Sequence, residues 1–266
     1  MKLLLLSLAV CLVATLAALP AFADKPRPPL SQSTQIIVVT TTDWNAVPGT
    51  LQRYERTSTS KPWKPVGDAI QIVVGKTGLA WGLGITPSVD VPADAPIKKE
   101  GDGKSPAGIF PLTSTFGYAT QPPVGWKMPY TYLSPTVECV DDPHSRFYNQ
   151  IVDRAYITSS GGSFDWNSSE QMRRNDALYT WGAFVAHNSG PATPGAGSCI
   201  FLHIWRDATN GTVGCTAMQQ PNVETVLGWL DPDKKPLLVQ MPMAQYRKYA
   251  DRWKLPALPP ASAAAR

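Results

Sequence analysis

The chain has 266 residues, with 24 Lys and Arg against 20 Asp and Glu, for a formal net charge of +4. So mild a balance, with no Lys/Arg stripe, argues against nucleic acid as a partner. The 26 prolines and 20 glycines, with few stretches of helical period, favour a β-rich domain with long connections over a helical bundle.

The first residues predict the compartment. Lys2 precedes an apolar run from Leu3 to Leu19 broken only by Ser7 and Thr15, and Pro20 leads into Ala21-Phe22-Ala23, a small-x-small cleavage site. Residues 1–23 therefore read as a signal peptide, with a mature chain of 243 residues and charge +3 from Asp24 onward, exported to the periplasm. An uncleaved anchor fits less well, because the run is about 17 residues where a span wants roughly 20. A lipoprotein reading through Cys11 is weaker still, since Val10 is a poor residue at that cleavage position. Nothing later is apolar enough to suggest a transmembrane segment.

Residues 24–33 are proline-rich and polar and read as a flexible leader. Gln35 to Thr41 is a β-branched run, hence a strand; Leu51 to Arg56 alternates weakly; Ala69 to Val74 has the pattern of a buried strand ending at Gly75. Trp63 is expected at the rim of the sheet. From Lys98 to Phe110 the chain reads KKEGDGKSPAGIF, a tight loop that lacks the Gly-x-x-x-x-Gly-Lys-Ser/Thr order of a phosphate loop. Asp141-Asp142-Pro143-His144 superficially suggests a metal cluster, but a turn is the plainer reading. Ser168-x-x-Gln171 predicts a capped short helix ending before Asn175. Val223, Val226, Leu227 and Leu230 predict a helix from Pro221 to Leu230, stopped by Asp231-Pro232-Asp233. Leu237 to Met241 reads as a late strand, and Tyr246, Tyr249, Ala250 and Trp253 share one face of a last helix. With no repeat and no second core, residues 34–258 form one domain, and 259–266 a flexible tail.

Four cysteines become three when Cys11 leaves with the signal peptide, so an oxidising compartment leaves one thiol unpaired. Cys139 and Cys199 sit in strand-like stretches, whereas Cys215 lies in the turn-rich Asn210 to Thr216. The economical pairing is Cys139–Cys199 with Cys215 free; the alternative is a buried, unpaired Cys139 or Cys199.

The chemistry-bearing residues cluster late in the chain. His203 ends the apolar run Ile200-Phe201-Leu202, and Thr212-Val213-Gly214-Cys215 follows twelve residues on, just ahead of the helix near Pro221. An imidazole and a helix N-terminus both favour a thiolate, and the N–H groups of Gly214 and Cys215 are candidates to face a developing oxyanion. Taken alone, the His-Cys spacing also fits a satisfied core histidine with a spare thiol, or a zinc site of His187, His203 and Cys215 that lacks any paired-ligand spacing.

The surrounding motifs shift that balance. Gly101-Asp102-Gly103-Lys104-Ser105-Pro106-Ala107-Gly108, then His203, then Thr212-Val213-Gly214-Cys215 together resemble the L,D-transpeptidase catalytic domain of the ErfK/YbiS/YcfS/YnhG type, from roughly Ile36 to Pro242. The resemblance implies a mainly β fold, a β-sandwich or barrel with a few short helices. It implies that Cys215 forms a thioester with a peptidoglycan stem peptide, that His203 transfers protons, that Gly214 belongs to the oxyanion turn, and that Thr212 takes the motif's Ser position. The acceptor is an amine from a second stem, a lipoprotein lysine or a free D-amino acid. No cofactor or metal enters this reading. His187, Asn188, Trp205 and Arg206 are candidate substrate contacts on the same face, with His187 alternatively a turn histidine and Arg206 a solvated loop residue. Three features depart from the family pattern, one of them Val213, which stands where many members carry a second His. Thr216-Ala217-Met218 follows the cysteine, as in a sub-branch that includes hydrolases, and Ile204 leaves His203 to be oriented by a backbone carbonyl or another side chain. A cysteine hydrolase (amidase or L,D-carboxypeptidase) and a catalytically silent peptidoglycan-binding domain are the alternatives.

Overall fold

The computed structural model describes residues 28–87 and 90–258. The expected signal peptide, the start of the expected leader and the expected tail lie outside the described residues. Pro28 to Ser33, expected as flexible leader, is packed instead: Leu30 is 2% exposed and joins the core, and the Arg56 guanidinium donates to the carbonyls of Leu30 and Ser33.

The fold is mainly β. The strand β1 (Gln35–Thr41) is buried on both faces, as its continuous β-branched run requires, and pairs on its two edges with β2 (Pro48–Glu55, antiparallel) and β13 (Leu237–Pro242, parallel). From β2 the sheet continues through β3 (Lys64–Val73), β12 (Thr216–Met218), β11 (Phe201–Ile204) and β10 (Trp181–Val185). The 13-residue β5 (Ser105–Gly117) pairs with β13 through Gly108 to Pro111 and with β10 through Leu112 to Gly117, closing the sheet into a barrel-like ring. The short β4 (Leu79–Trp81) and β6 (Tyr130–Tyr132) flank β5 in parallel. Closure leaves few open edges to pair with other chains.

Two helices cover the barrel. α2 (Gln220–Trp229) packs on β10 and β11, burying Val223, Val226 and Leu227; α3 (Met243–Trp253) packs on β13 and β1, burying Tyr246, Tyr249 and Trp253. Asp90 anchors α3 by accepting from Trp253 Nε1 at 2.8 Å and pairing with Arg252 at 2.6 Å. Trp63 is half-buried beneath the Arg56 guanidinium, 4.1 Å from its ring centroid.

A separate three-stranded sheet, β8 (Ile151–Asp153), β7 (Val137–Val140) and β9 (Ser169–Gln171), forms a cap beside β11. Here the sequence reading needs correction: Ser169–Gln171 is a strand, because its backbone completes the edge of β7, and the short helix is instead α1 (Arg154–Ser159), capped by Asp153. The cap and the barrel enclose a second apolar cluster containing Phe116, Met172, Tyr179, Phe201 and all three described cysteines. Cys139 and Cys199 are disulfide-bonded, joining β7 to the segment that enters β11. Cys199 is not in a strand; it adopts φ 54° just ahead of β11, with its N–H on Asn149 Oδ1 at 2.9 Å.

The bridge closes a loop spanning 60 residues, so chain-entropy reasoning gives it about 4 kcal/mol. The Cys139→Ser, Cys199→Ser double variant is expected to lose most of that, read as a lower denaturant midpoint. An unchanged midpoint contradicts a stabilising tether.

Candidate active site

Cys215 immediately precedes β12, which runs parallel to β11 with Leu202 opposite Thr216 and His203 opposite Ala217. The sulfur is thereby brought to Phe201, whose N–H donates to it at 3.3 Å, while the thiol donates to the Cys199 carbonyl at 3.6 Å. Cys215 is free and buried.

The turn before it is held by hydroxyls. Thr212 Oγ1 donates to the Cys215 carbonyl at 2.5 Å and accepts the Gly214 N–H at 3.1 Å. Ser105 Oγ donates to the same carbonyl at 2.7 Å and accepts the Gly75 N–H at 2.8 Å. The Gly-Asp-Gly-Lys-Ser motif is thus a buttress. Its Asp102 accepts from Lys98 Nζ (2.6 Å), Lys99 N (2.8 Å) and Lys104 N (2.9 Å), and the loop packs so closely that a Cβ on Gly75 would lie 2.3 Å from the Gly103 carbonyl.

His203 and Phe201 share one face of β11 by the two-residue strand period. The His203 Nδ1 lies 2.7 Å from the Ile204 carbonyl. A carbonyl only accepts, so Nδ1 carries the proton and Nε2 is left as the acceptor in the neutral ring. The backbone thus supplies the orientation that Ile204 has no hydroxyl to give. Tyr179 packs edge-on against the imidazole, with centroids 5.1 Å apart. Burial lowers the His203 pKa to about 4, opposed by the Ile204 carbonyl. Burial, with the Glu170 charge, pushes the Cys215 thiol well above its usual range, opposed by the Phe201 N–H, Lys98 and Tyr179. Both groups rest uncharged near neutral pH.

Cys215, His203, Trp205 and Arg206 line one cavity of about 580 Å³. Glu170, Arg174, Tyr179 and Lys98 also line it, and sequence reasoning missed all four. They come from β9, the loop after it and the segment before the Gly-rich turn, and carry no local motif; a cluster of ionisable residues around Tyr179 was the one available signal.

The Gly214 N–H donates to Thr212 Oγ1 within the turn, and no hydrogen bond among the described residues uses the Cys215 N–H. The one proton of the Thr212 hydroxyl is given to the Cys215 carbonyl and one of its two acceptor sites to the Gly214 N–H, and the residue lines the cavity. The N-terminus of α2 is separated from the thiol by the length of β12, about 10 Å, beyond the first-turn range of a helix dipole. His187 is wholly buried away from the cavity: Nδ1 accepts from Leu83 N at 3.2 Å and Nε2 donates to Ala196 O at 3.0 Å. Asn188, at φ 50°, bonds Thr193 and Gly197 and shapes the loop between β10 and β11. Neither is a substrate contact. Among the described residues, no group of three His, Cys, Asp or Glu side chains is placed to hold a metal ion. His144 is exposed on the Asp142 turn.

Burial also lowers the pKa of His187 from 6.5 to about 4. With both histidines depressed, the unfolded chain binds more protons than the native one between these values. The stability they contribute is complete above pH 6.5 and is lost as pH falls through about 4, on the order of 3 kcal/mol each. Melting temperature is expected to drop steadily from pH 6.5 to 4.5, before strongly depressed carboxylates such as Asp207 titrate. A flat profile over that window contradicts neutral burial.

Residues 50–239 match the family model described as YkuD, L,D-transpeptidase catalytic domain. No curated protein and no solved structure matches the chain significantly. The barrel-like sheet, the cavity that His203 and Cys215 both line and the extent of that match lead to one conclusion: the chain belongs to the L,D-transpeptidase catalytic domain family.

Proposed function

We propose that this protein is a periplasmic L,D-transpeptidase whose Cys215 forms a thioester with a peptidoglycan stem peptide and passes it to an amine. The observation that carries the reading is that a free thiol and a histidine whose Nε2 is left as the acceptor line one cavity of a domain of this family. As the sulfur attacks the carbonyl before the terminal D-alanine, its proton passes to His203 Nε2. The carbonyl oxygen becomes an oxyanion within reach of the Cys215 N–H. Collapse breaks the C–N bond, and the imidazolium returns the proton to the departing D-alanine amine. The acceptor amine then attacks the thioester, loses a proton to His203, and the thiol is restored. Arg206 and Trp205 on the cavity wall are suited to hold the stem, Arg206 through a carboxylate.

Hydrolysis uses the same thioester with water. Its sequence motive, Thr216-Ala217-Met218, loses force because these residues form the buried β12 and line no part of the cavity, with Thr216 bonded to Gln240 at 2.7 Å. Incubation with tetrapeptide-bearing muropeptides, followed by mass spectrometry, tests the reading. Cross-linked or amine-exchanged products are expected. Tripeptide with only water added indicates the hydrolase, and unchanged muropeptides indicate a silent binding domain.

A further inference from the structure

Glu170 lines the cavity yet has no part in the proton transfers described above. Its Oε1 accepts the Tyr179 hydroxyl at 2.5 Å. The Arg174 guanidinium lies 3.8 Å from the same oxygen, is held by Asp176 through two hydrogen bonds of 2.9 Å, and covers the Tyr179 ring at 5.2 Å. Tyr179 is 4% exposed and meets two residues of β11 edge-on: His203 at 5.1 Å, and Phe201, whose N–H holds the sulfur, at 5.6 Å.

The carboxylate is also fixed relative to the sulfur by a second route. Glu170 stands opposite Cys139 in the β7–β9 register, Cys139 is disulfide-bonded to Cys199, and the Cys199 carbonyl receives the Cys215 thiol. The Glu170–Arg174 pair is part-exposed, at 27% and 31%, and contributes little by itself; the carboxylate reaches the site through its bond from the Tyr179 hydroxyl.

We propose that Glu170 is a positioning residue for Cys215 and His203, acting through Tyr179, whose hydroxyl it holds and whose ring walls the imidazole. The inference rests on Cys215 being the nucleophile. The charged and titratable groups facing the assembly are Arg174 and Asp141 toward Glu170, Lys98 toward the sulfur, and Tyr179 and His203 between them. The negative Glu170 disfavours the thiolate, whereas the Tyr179 hydroxyl favours it by turning its one proton from Glu170 to the sulfur. Loss of each group therefore moves the thiol in opposite directions.

The test is the pH dependence of Cys215 alkylation, read without substrate and so independent of which stem or acceptor is used. Glu170→Gln is expected to shift the midpoint down by about one pH unit and Tyr179→Phe to shift it up. With a working stem peptide, each variant should lose about tenfold in kcat with KM little changed, and the double variant should lose no more than the worse single one. Tyr179→Phe keeps the ring and carries the test alone if Glu170→Gln does not fold. An unmoved alkylation profile in folded variants overturns the proposal, whether or not turnover falls, because loss of turnover alone is what a merely structural residue gives.

Discussion

Cys215→Ala is expected to abolish turnover of tetrapeptide stems, with a loss of at least about 10⁴ in kcat, since no other group in the cavity can take over as nucleophile. The other two cysteines of the described chain are joined to each other, which leaves a single free thiol. The change should also be mild for the fold. The carbonyl of residue 215 remains held by Thr212 and Ser105, and the lost side-chain contacts are the 3.3 Å and 3.6 Å bonds to Phe201 and Cys199. A near-normal melting temperature with no turnover separates loss of chemistry from loss of structure. Turnover within tenfold of the parent contradicts the assignment.

His203→Ala is expected to cost on the order of 10²–10⁴ in kcat. The thiol here is not pre-ionised, because burial holds it neutral, so attack on a carbonyl requires a base at the moment of reaction. The residual rate should rise with pH as hydroxide replaces the missing base. His203→Gln should be no better than alanine, because an amide cannot carry the proton. Substitution of His187 gives the contrast: its ring nitrogens are both occupied by backbone groups, so its loss should lower stability and leave the thiol's alkylation profile in place. Comparable effects of the two histidines on that profile would contradict the division between them.

That contrast shows what was legible in the sequence. His187 and His203 each end an apolar run, and local pattern does not tell them apart. The difference lies in which distant backbone groups face each ring, Leu83 and Ala196 for one and an open cavity for the other. β1 was readable from its buried β-branched run, the end of β3 from Ile70, Ile72 and Val73, and β13 from the apolar run beginning at Leu237. α2 and α3 were readable from their spacing, as the buried residues of each helix confirm. The cap was not. Its strands are three or four residues long, too short to display a two-residue period, and Ser169–Gln171 resembled a helix cap until its pairing with β7 was known. Ring closure through β5 was equally invisible, since the contacts between β5 and β10 are set by neither segment alone.

The same distinction holds for the site. Cys215, His203 and the Gly-Asp-Gly-Lys-Ser turn are bound together by local order along the chain, and Ser105 proves to be the link between that turn and the cysteine. Glu170, Arg174 and Tyr179 reach the site only because the cap folds over it. Thr212 and Gly214 line the cavity and are also bonded to each other within the turn. Ordered motifs revealed which residues converge, and the hydrogen bonds determine what each has left to offer.

The most direct test of the central claim is the intact mass of the protein after brief mixing with a tetrapeptide stem. The expected result is an added mass equal to the stem less its terminal D-alanine, mapped to Cys215, lost on addition of an amine acceptor and absent from Cys215→Ala. Conversion of the stem with no adduct on Cys215, or an adduct that persists in Cys215→Ala, contradicts the thioester mechanism.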